Sequence, residues 1–254
     1  MIIASVITIF FILIKRKNLK IDFNQFLKYS FLGLIIALHW ITFFEGIEQS
    51  NISVTLAMFS TAAFFTSLLE PLFFKRKIIF YEIVLGLLVI AGVFLIFKSE
   101  FNYVNGIILG LLSALFASIF SVLNGIMIKK NSAITISFYE FISGVMFISI
   151  YLFLTENMNS LSIDNFFSLN YIYIFLLGSV CTAYAFIASV YLLNYITPYS
   201  VVLTYNLEPV YGILLALLFF GDNEKMSLQF YIGLFFILTS VLINMYVKKT
   251  VKRT

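Results

Sequence analysis

Nine long apolar runs, parted by short polar breaks, make up almost the whole chain: residues 1–14, 26–46, 54–74, 83–97, 106–128, 134–154, 170–192, 201–220 and 231–247. Most approach the ~20 residues that a helix rising 1.5 Å per residue needs to cross a ~30 Å hydrocarbon core. Short alternating segments, the mark of an outer-membrane barrel, are absent, so the pattern predicts an all-α polytopic membrane protein with nine spans. The first run is too short, ~21 Å of helix. It ends at Lys15-Arg16-Lys17 with no basic stretch before it, which fits the second half of a helix better than a signal peptide.

The run 201–220 is the one the others are organised around, because it keeps Asn206, Glu208 and Pro209 in its interior. A carboxylate inside a span is expensive, and a proline removes a backbone donor and loosens one helical turn. A segment that retains both is expected to face other helices or a water-filled cavity.

Composition narrows the picture. Hydrophobic residues are 62% of 254 and charged residues only 11%, which excludes an ordinary soluble domain. A net charge of +4 gives no reason to expect a nucleic-acid partner. The single cysteine, Cys181, and single histidine, His39, supply neither a disulfide framework nor a transition-metal site, so no cofactor is expected. The distribution of charge sets orientation. With the loop after the first span placed inside and the spans alternating, every lysine and arginine except Lys98 and Lys225 falls on the inner side. The C-terminus is then cytoplasmic.

The two halves resemble each other. Gly86 pairs with Gly233 and Glu82 with Gln229 at one shared spacing. Leu32-Gly33 pairs with Leu177-Gly178, and LLEPLFF (68–74) with LLALLFF (214–220), at spacings one or two residues shorter. This divides the chain into a first repeat, 1–100, and a second, 101–254, together one membrane domain. A repeat of five helices is odd-numbered, so the halves are inverted in the membrane, an arrangement of secondary transporters with a site near the midplane. His39 falls opposite Tyr184.

The run LEPVYGILLALLFFGDNE (207–224), followed by Gln229 and Gly233, resembles the EamA-like family of the drug/metabolite transporter superfamily. The shared features are an acid-proline pair in an apolar helix, a glycine-acid turn, then a glutamine and a glycine opening the last helix. STAAFFTSLLEPLFFKRKI (60–78) and GLLVIAGVFLIF (86–97) carry the first half's version. The resemblance implies ten helices as two inverted five-helix repeats, and movement of small metabolites across the membrane. Nine spans against ten predicts that Met1 is an internal methionine of a ten-helix protein, through a misplaced start or a cut gene.

Glu208 leads the residues expected along a substrate path, with Tyr205 one turn before it on the same face and Asn206 and Pro209 adjoining. The alternative is a structural acid bonded to a neighbouring helix. His39 can trade a proton and Trp40 can stack on a ring or cation, or the two form an interhelix hydrogen bond and an interfacial anchor. Tyr184 joins them through the repeat. Glu140 is either a proton or substrate contact, or an acid snorkelling toward Lys129-Lys130. Glu70 is expected to pair with Lys75-Arg76-Lys77, and Glu45 to snorkel outward. Gly106, Gly110, Ala114 and Ser118 form a small-residue stripe for close helix packing.

These features predict a carrier, in the exporting direction, for a small metabolite such as an amino acid. Its partners are that substrate, the lipid bilayer and, as a further option, a second copy of the chain. A non-transporting membrane subunit or sensor is the alternative. A membrane-embedded enzyme fits less well, since Asp22, Asp164 and Asp222 lie outside the spans and no catalytic constellation is present. The topology is testable: a cysteine introduced at Ser160 reacts with an impermeant thiol reagent in intact cells, and one at Asn131 does not. The reverse labelling pattern refutes the orientation.

Overall fold

The computed structural model describes residues 1–16, 19–75, 80–155, 169–205 and 207–251. Among them the secondary structure is helical throughout. The α-helices are α1 (Ile2–Lys15), α2 (Phe23–Glu48), α3 (Ile52–Phe59), α4 (Ala62–Phe74), α5 (Phe80–Ser99), α6 (Val104–Met127), α7 (Ala133–Leu154), α8 (Leu169–Leu176), α9 (Ala185–Leu192), α10 (Pro198–Tyr205), α11 (Leu207–Phe220) and α12 (Leu228–Val251). Three pairs, α3 with α4, α8 with α9 and α10 with α11, each occupy one of the nine expected spans. Among the described residues seven spans are long and apolar enough to cross a membrane, and Ile2–Lys15 and Val84–Ser99 are shorter apolar helices. The chain is therefore an integral membrane protein of the all-α polytopic class.

Two spans are less regular than their uniform apolar character suggests. Between α3 and α4 the helix breaks at Ser60 and Thr61, whose hydroxyls donate to the carbonyls of Ala57 (2.5 Å) and Met58 (2.7 Å). Such local bonds offer the backbone an alternative to the helical ladder. Between α8 and α9 the chain forms a π-helix, Leu177–Tyr184. Thr182 Oγ1 donates to the Leu177 carbonyl at 2.7 Å, a separation of five residues that matches the π ladder.

The helices cluster into two compact units. The first comprises residues 1–37 and 123–195. Its core is Ala4, Phe141 and Ala183, with Met1, Ile7, Phe186 and Ile187 packed around them. Close backbone approach sets its geometry. A Cβ on Gly33 would lie 2.6 Å from Ser143 Cβ and 2.7 Å from the Glu140 carbonyl oxygen, and one on Gly178 would meet Ile3 Cβ at 2.7 Å. The glycines that align in the two repeats thus let α2 reach α7 and let the π-helix reach α1.

The second unit comprises residues 38–122 and 196–254. Its larger core includes Val54, Leu56, Met58, Val89, Ile96, Ile213, Phe230 and Ile237. Here α5 and α12 cross at Gly92 and Gly233, each of whose Cβ positions would sit 2.6 Å from the other's carbonyl oxygen. Gly92 faces Ile237 while Gly233 faces Ile96, the reciprocal pattern of antiparallel helices about a local two-fold axis. The stripe on α6 also packs as expected: a Cβ on Gly110 would meet Met58 Cβ at 2.7 Å, and Ser118 donates to the Ala62 carbonyl at 2.7 Å. In lipid, where there is no hydrophobic drive between helices, such small-residue contacts supply the association.

The likeness between the two halves is plainest at two helix starts in this unit. Asn51 caps α3, its Oδ1 accepting from Val54 N–H at 2.8 Å, and Thr197 caps α10, its Oγ1 accepting from Ser200 N–H at 3.3 Å. Glu224 adds a second cap to α3, accepting from the amides of Ile52 (3.1 Å) and Ser53 (2.9 Å). Glu70 does the same for α10, accepting from Tyr199 N–H at 3.0 Å. The pairs Asn51/Thr197, Ser53/Tyr199 and Val54/Ser200 share one spacing. Glu70 was expected to work with the basic run at 75–77, of which residues 76 and 77 lie outside the described residues. Instead of lying at the surface it is 6% exposed and turned onto α10. Glu224 is 5% exposed. Asn51, the acceptor position of a glycosylation sequon, is itself buried and committed to its cap.

A buried carboxylate bonded to amides at a helix start is stabilised by charge-assisted hydrogen bonds and by the helix dipole. Glu224→Ala and Glu70→Ala are each expected to lower stability by about 2 kcal/mol, read as an earlier thermal transition of the purified protein. Melting of both variants at the wild-type temperature would show that the caps contribute nothing.

Candidate functional site

In the second unit His39 lies on α2 among Phe59, Phe120 and Phe43, with ring centroids 5.5, 5.8 and 6.1 Å away. Its Nδ1 is 2.8 Å from Ser113 Oγ and 3.1 Å from the Ser113 carbonyl oxygen. Ser113 Oγ also lies 3.2 Å from the carbonyl oxygen of His39, which it reaches as donor. With its proton on Nδ1, the imidazole donates to the Ser113 carbonyl and keeps Nε2 as an acceptor. The ring is thereby held to α6 in one orientation. Ser113, buried on the small-residue face of α6, anchors this imidazole, and nothing in its own segment singles it out. Trp40 is half-buried, with its ring edge-on to Phe44 at 6.3 Å.

The acid-proline segment of the same unit is only partly enclosed. Pro209 is buried and Tyr205 half-buried, whereas Glu208 is exposed. Tyr205 closes α10 and Leu207 opens α11, and Asn206 lies outside the described residues. Tyr205 and Glu208 therefore keep their expected one-turn separation in sequence but differ in burial.

The first unit contains the most enclosed polar group of the set. Glu140 on α7 is 0% exposed, as is Asn124 on α6, which presents its side-chain amide to the Glu140 carboxyl. Hydrogen-bond geometry is not completed at either carboxylate oxygen, nor at either polar atom of the Asn124 amide. Ser137, one turn before Glu140, is also fully buried with an unpartnered Oγ. Full burial removes the snorkelling role that the sequence left open. Around this cluster, Tyr29 accepts from Asn131 Nδ2 at 2.7 Å and Tyr139 donates to the Leu19 carbonyl at 2.9 Å. Ser143 and Ser30 are joined at 3.2 Å. Gly33 allows this packing, since any side chain there would strike the Glu140 backbone.

Tyr184 closes the π-helix of the first unit and is 73% exposed. His39, its expected counterpart, belongs to the second unit. The structure thus groups Glu140 with Asn124, Ser137 and Tyr29, and groups His39 with Ser113 and three phenylalanines. Asn124 went unnoticed in the sequence because nothing local distinguishes an asparagine on the buried face of an apolar helix.

No curated protein matches this sequence. Among solved structures, a crystal structure described only as that of a protein superposes with a TM-score of 0.67 at 13% identity, covering 96% of this chain and 84% of the other. At that identity the likeness concerns the fold alone. The profile of the EamA-like transporter family matches residues 1–98 and 104–246. With nearly the whole chain matched, and with the nine helical spans of the described residues agreeing with the polytopic fold, the chain belongs to the EamA-like transporter family, membrane transporters of the drug/metabolite kind.

Proposed function

We propose that the chain is a secondary transporter that exports a small metabolite, such as an amino acid or a related compound, across the bacterial cytoplasmic membrane. The family match over both halves of the sequence carries this reading. The positive-inside distribution supports a cytoplasmic C-terminus. The repeats, 1–100 and 101–254, act as one membrane domain whose partners are the bilayer and the substrate, with self-association as the one further assembly this reading allows.

Glu208, Tyr205, Asn206 and Pro209 are assigned to the substrate path in one unit, together with His39 and Trp40. Glu140 and Tyr184 are assigned to it in the other. Glu208 makes no hydrogen bond or ion pair among the described residues, which suits an acid that meets a substrate better than one that staples two helices. The fixed imidazole of His39, with an acceptor nitrogen amid three aromatic rings, suits a contact of defined direction.

Proteoliposomes containing the purified protein, screened with amino acids and related metabolites, test the activity. Glu208→Gln is expected to reduce transport several-fold while folded yield stays near normal. Normal transport by Glu208→Gln, with Glu208→Leu lowering only the yield, would make the acid structural and remove it from the path.

A further inference from the structure

We propose that Glu140, Asn124 and Ser137 form a binding site for one monovalent cation, a proton or a sodium ion, through which transport is coupled to an ion gradient. Its role rests on the transporter reading, but the site is argued from the first unit alone. Five polar atoms from these three fully buried side chains complete no hydrogen bond: both carboxylate oxygens of Glu140, both polar atoms of the Asn124 amide that faces it, and Ser137 Oγ. Buried polar groups in folded proteins are nearly always satisfied, and an isolated buried charge is costlier still. Five unmet atoms on adjoining side chains therefore mark a site and not a packing accident.

The surroundings identify the ligand by charge and size. No basic side chain among the described residues compensates the carboxylate. From α2 the nearby titratable groups are Tyr29, already bonded to Asn131, and Asp22, bonded to the Gln25 amide at the helix start. From α7 itself Tyr139 is committed to Leu19, and on α6 Lys129 and Lys130 are exposed beyond the end of the helix. The face of α1 supplies only Ser5 and Thr8, Thr8 donating to the Ala4 carbonyl, while Tyr184, Cys181 and Tyr191 on the π-helix and α9 are exposed. Lys28 on α2 is exposed, and Met1, whose ammonium stands at the start of α1, packs its side chain beside Gly144, one turn beyond Glu140, without bonding to the carboxylate, so a positive species completes the site. With all three side chains at 0% exposure, nothing of metabolite size fits beside them. A proton needs only the carboxylate, with the Asn124 amide donating to its second oxygen. Sodium would use the oxygens of Glu140, Asn124 and Ser137, the hard-donor set that such cations prefer. Either ion would give Glu140 two states, one with the ion bound and one without.

Infrared difference spectroscopy on the purified protein in lipid nanodiscs distinguishes the two ions without any substrate. One arm compares acid with alkaline buffer free of sodium, and the other compares sodium with choline at alkaline pH. For a proton site, the carbonyl stretch of a protonated carboxyl disappears as pH rises, and sodium changes nothing. For a sodium site, a carboxylate stretch shifts with sodium and not with choline. In both cases Glu140→Gln loses the signal, and Asn124→Ala keeps it at a shifted frequency because the amide no longer polarises it. Asn124→Ala also serves should Glu140→Gln fail to fold. Spectra of wild type that match those of Glu140→Gln in both arms, or of Asn124→Ala that match wild type, overturn the site. A Glu140-dependent signal in a protein that moves no metabolite would refute the transporter reading and leave the ion site standing.

Discussion

Backbone amides at the start of a helix need acceptors, and within a lipid-facing fold water cannot provide them. The second unit meets that constraint twice with the same device. A side-chain cap and a buried carboxylate from a distant helix close the start of α3, and an equivalent pair closes the start of α10. Because each acid arrives from the far end of another span, satisfying the amides also ties α3 to the end of α11 and α10 to α4. The rest of that unit, with its crossing of α5 on α12 and its aliphatic core, is assembled around these two tied spans.

The fold class was legible because bilayer thickness forces long runs without polar interruption, and such runs show in any window of sequence. The glycines that stood out in the pattern have a related reason: Gly33, Gly178 and Gly233 lie at helix crossings where a side chain would clash. Glu70 and Glu224 were not legible as caps, since their partners lie far away in the chain. Glu70 near a basic run looks like a surface ion pair until its burial is known. The break at Ser60-Thr61 was hidden for the opposite reason: hydroxyl residues occur in many continuous spans, and only the bonds they make reveal where the ladder yields.

Among the candidate residues, chemistry was legible and setting was not. A carboxylate at 140 and one at 208 look alike in sequence, yet one is wholly enclosed beside an asparagine and the other is exposed. The difference follows from helix rotation, which an evenly apolar span does not encode, and from neighbours such as Asn124 and Ser113 that are unremarkable in their own segments. Hence the polar partners, more than the charged residues themselves, are what the three-dimensional arrangement adds.

The π-helix between α8 and α9 bears on the spacing between the two halves. The spacing between matched positions grows by one residue from the pair Gly33 and Gly178 to the pair Asn51 and Thr197. A helix that gains a residue while both its ends stay anchored must widen one turn, and a π segment is that widened turn. Leu177–Tyr184 overlaps the start of the stretch, Gly178 to Thr197, over which the spacing changes. A π turn holds one residue more than an α turn, so the widened segment and the one-residue change in spacing accommodate each other.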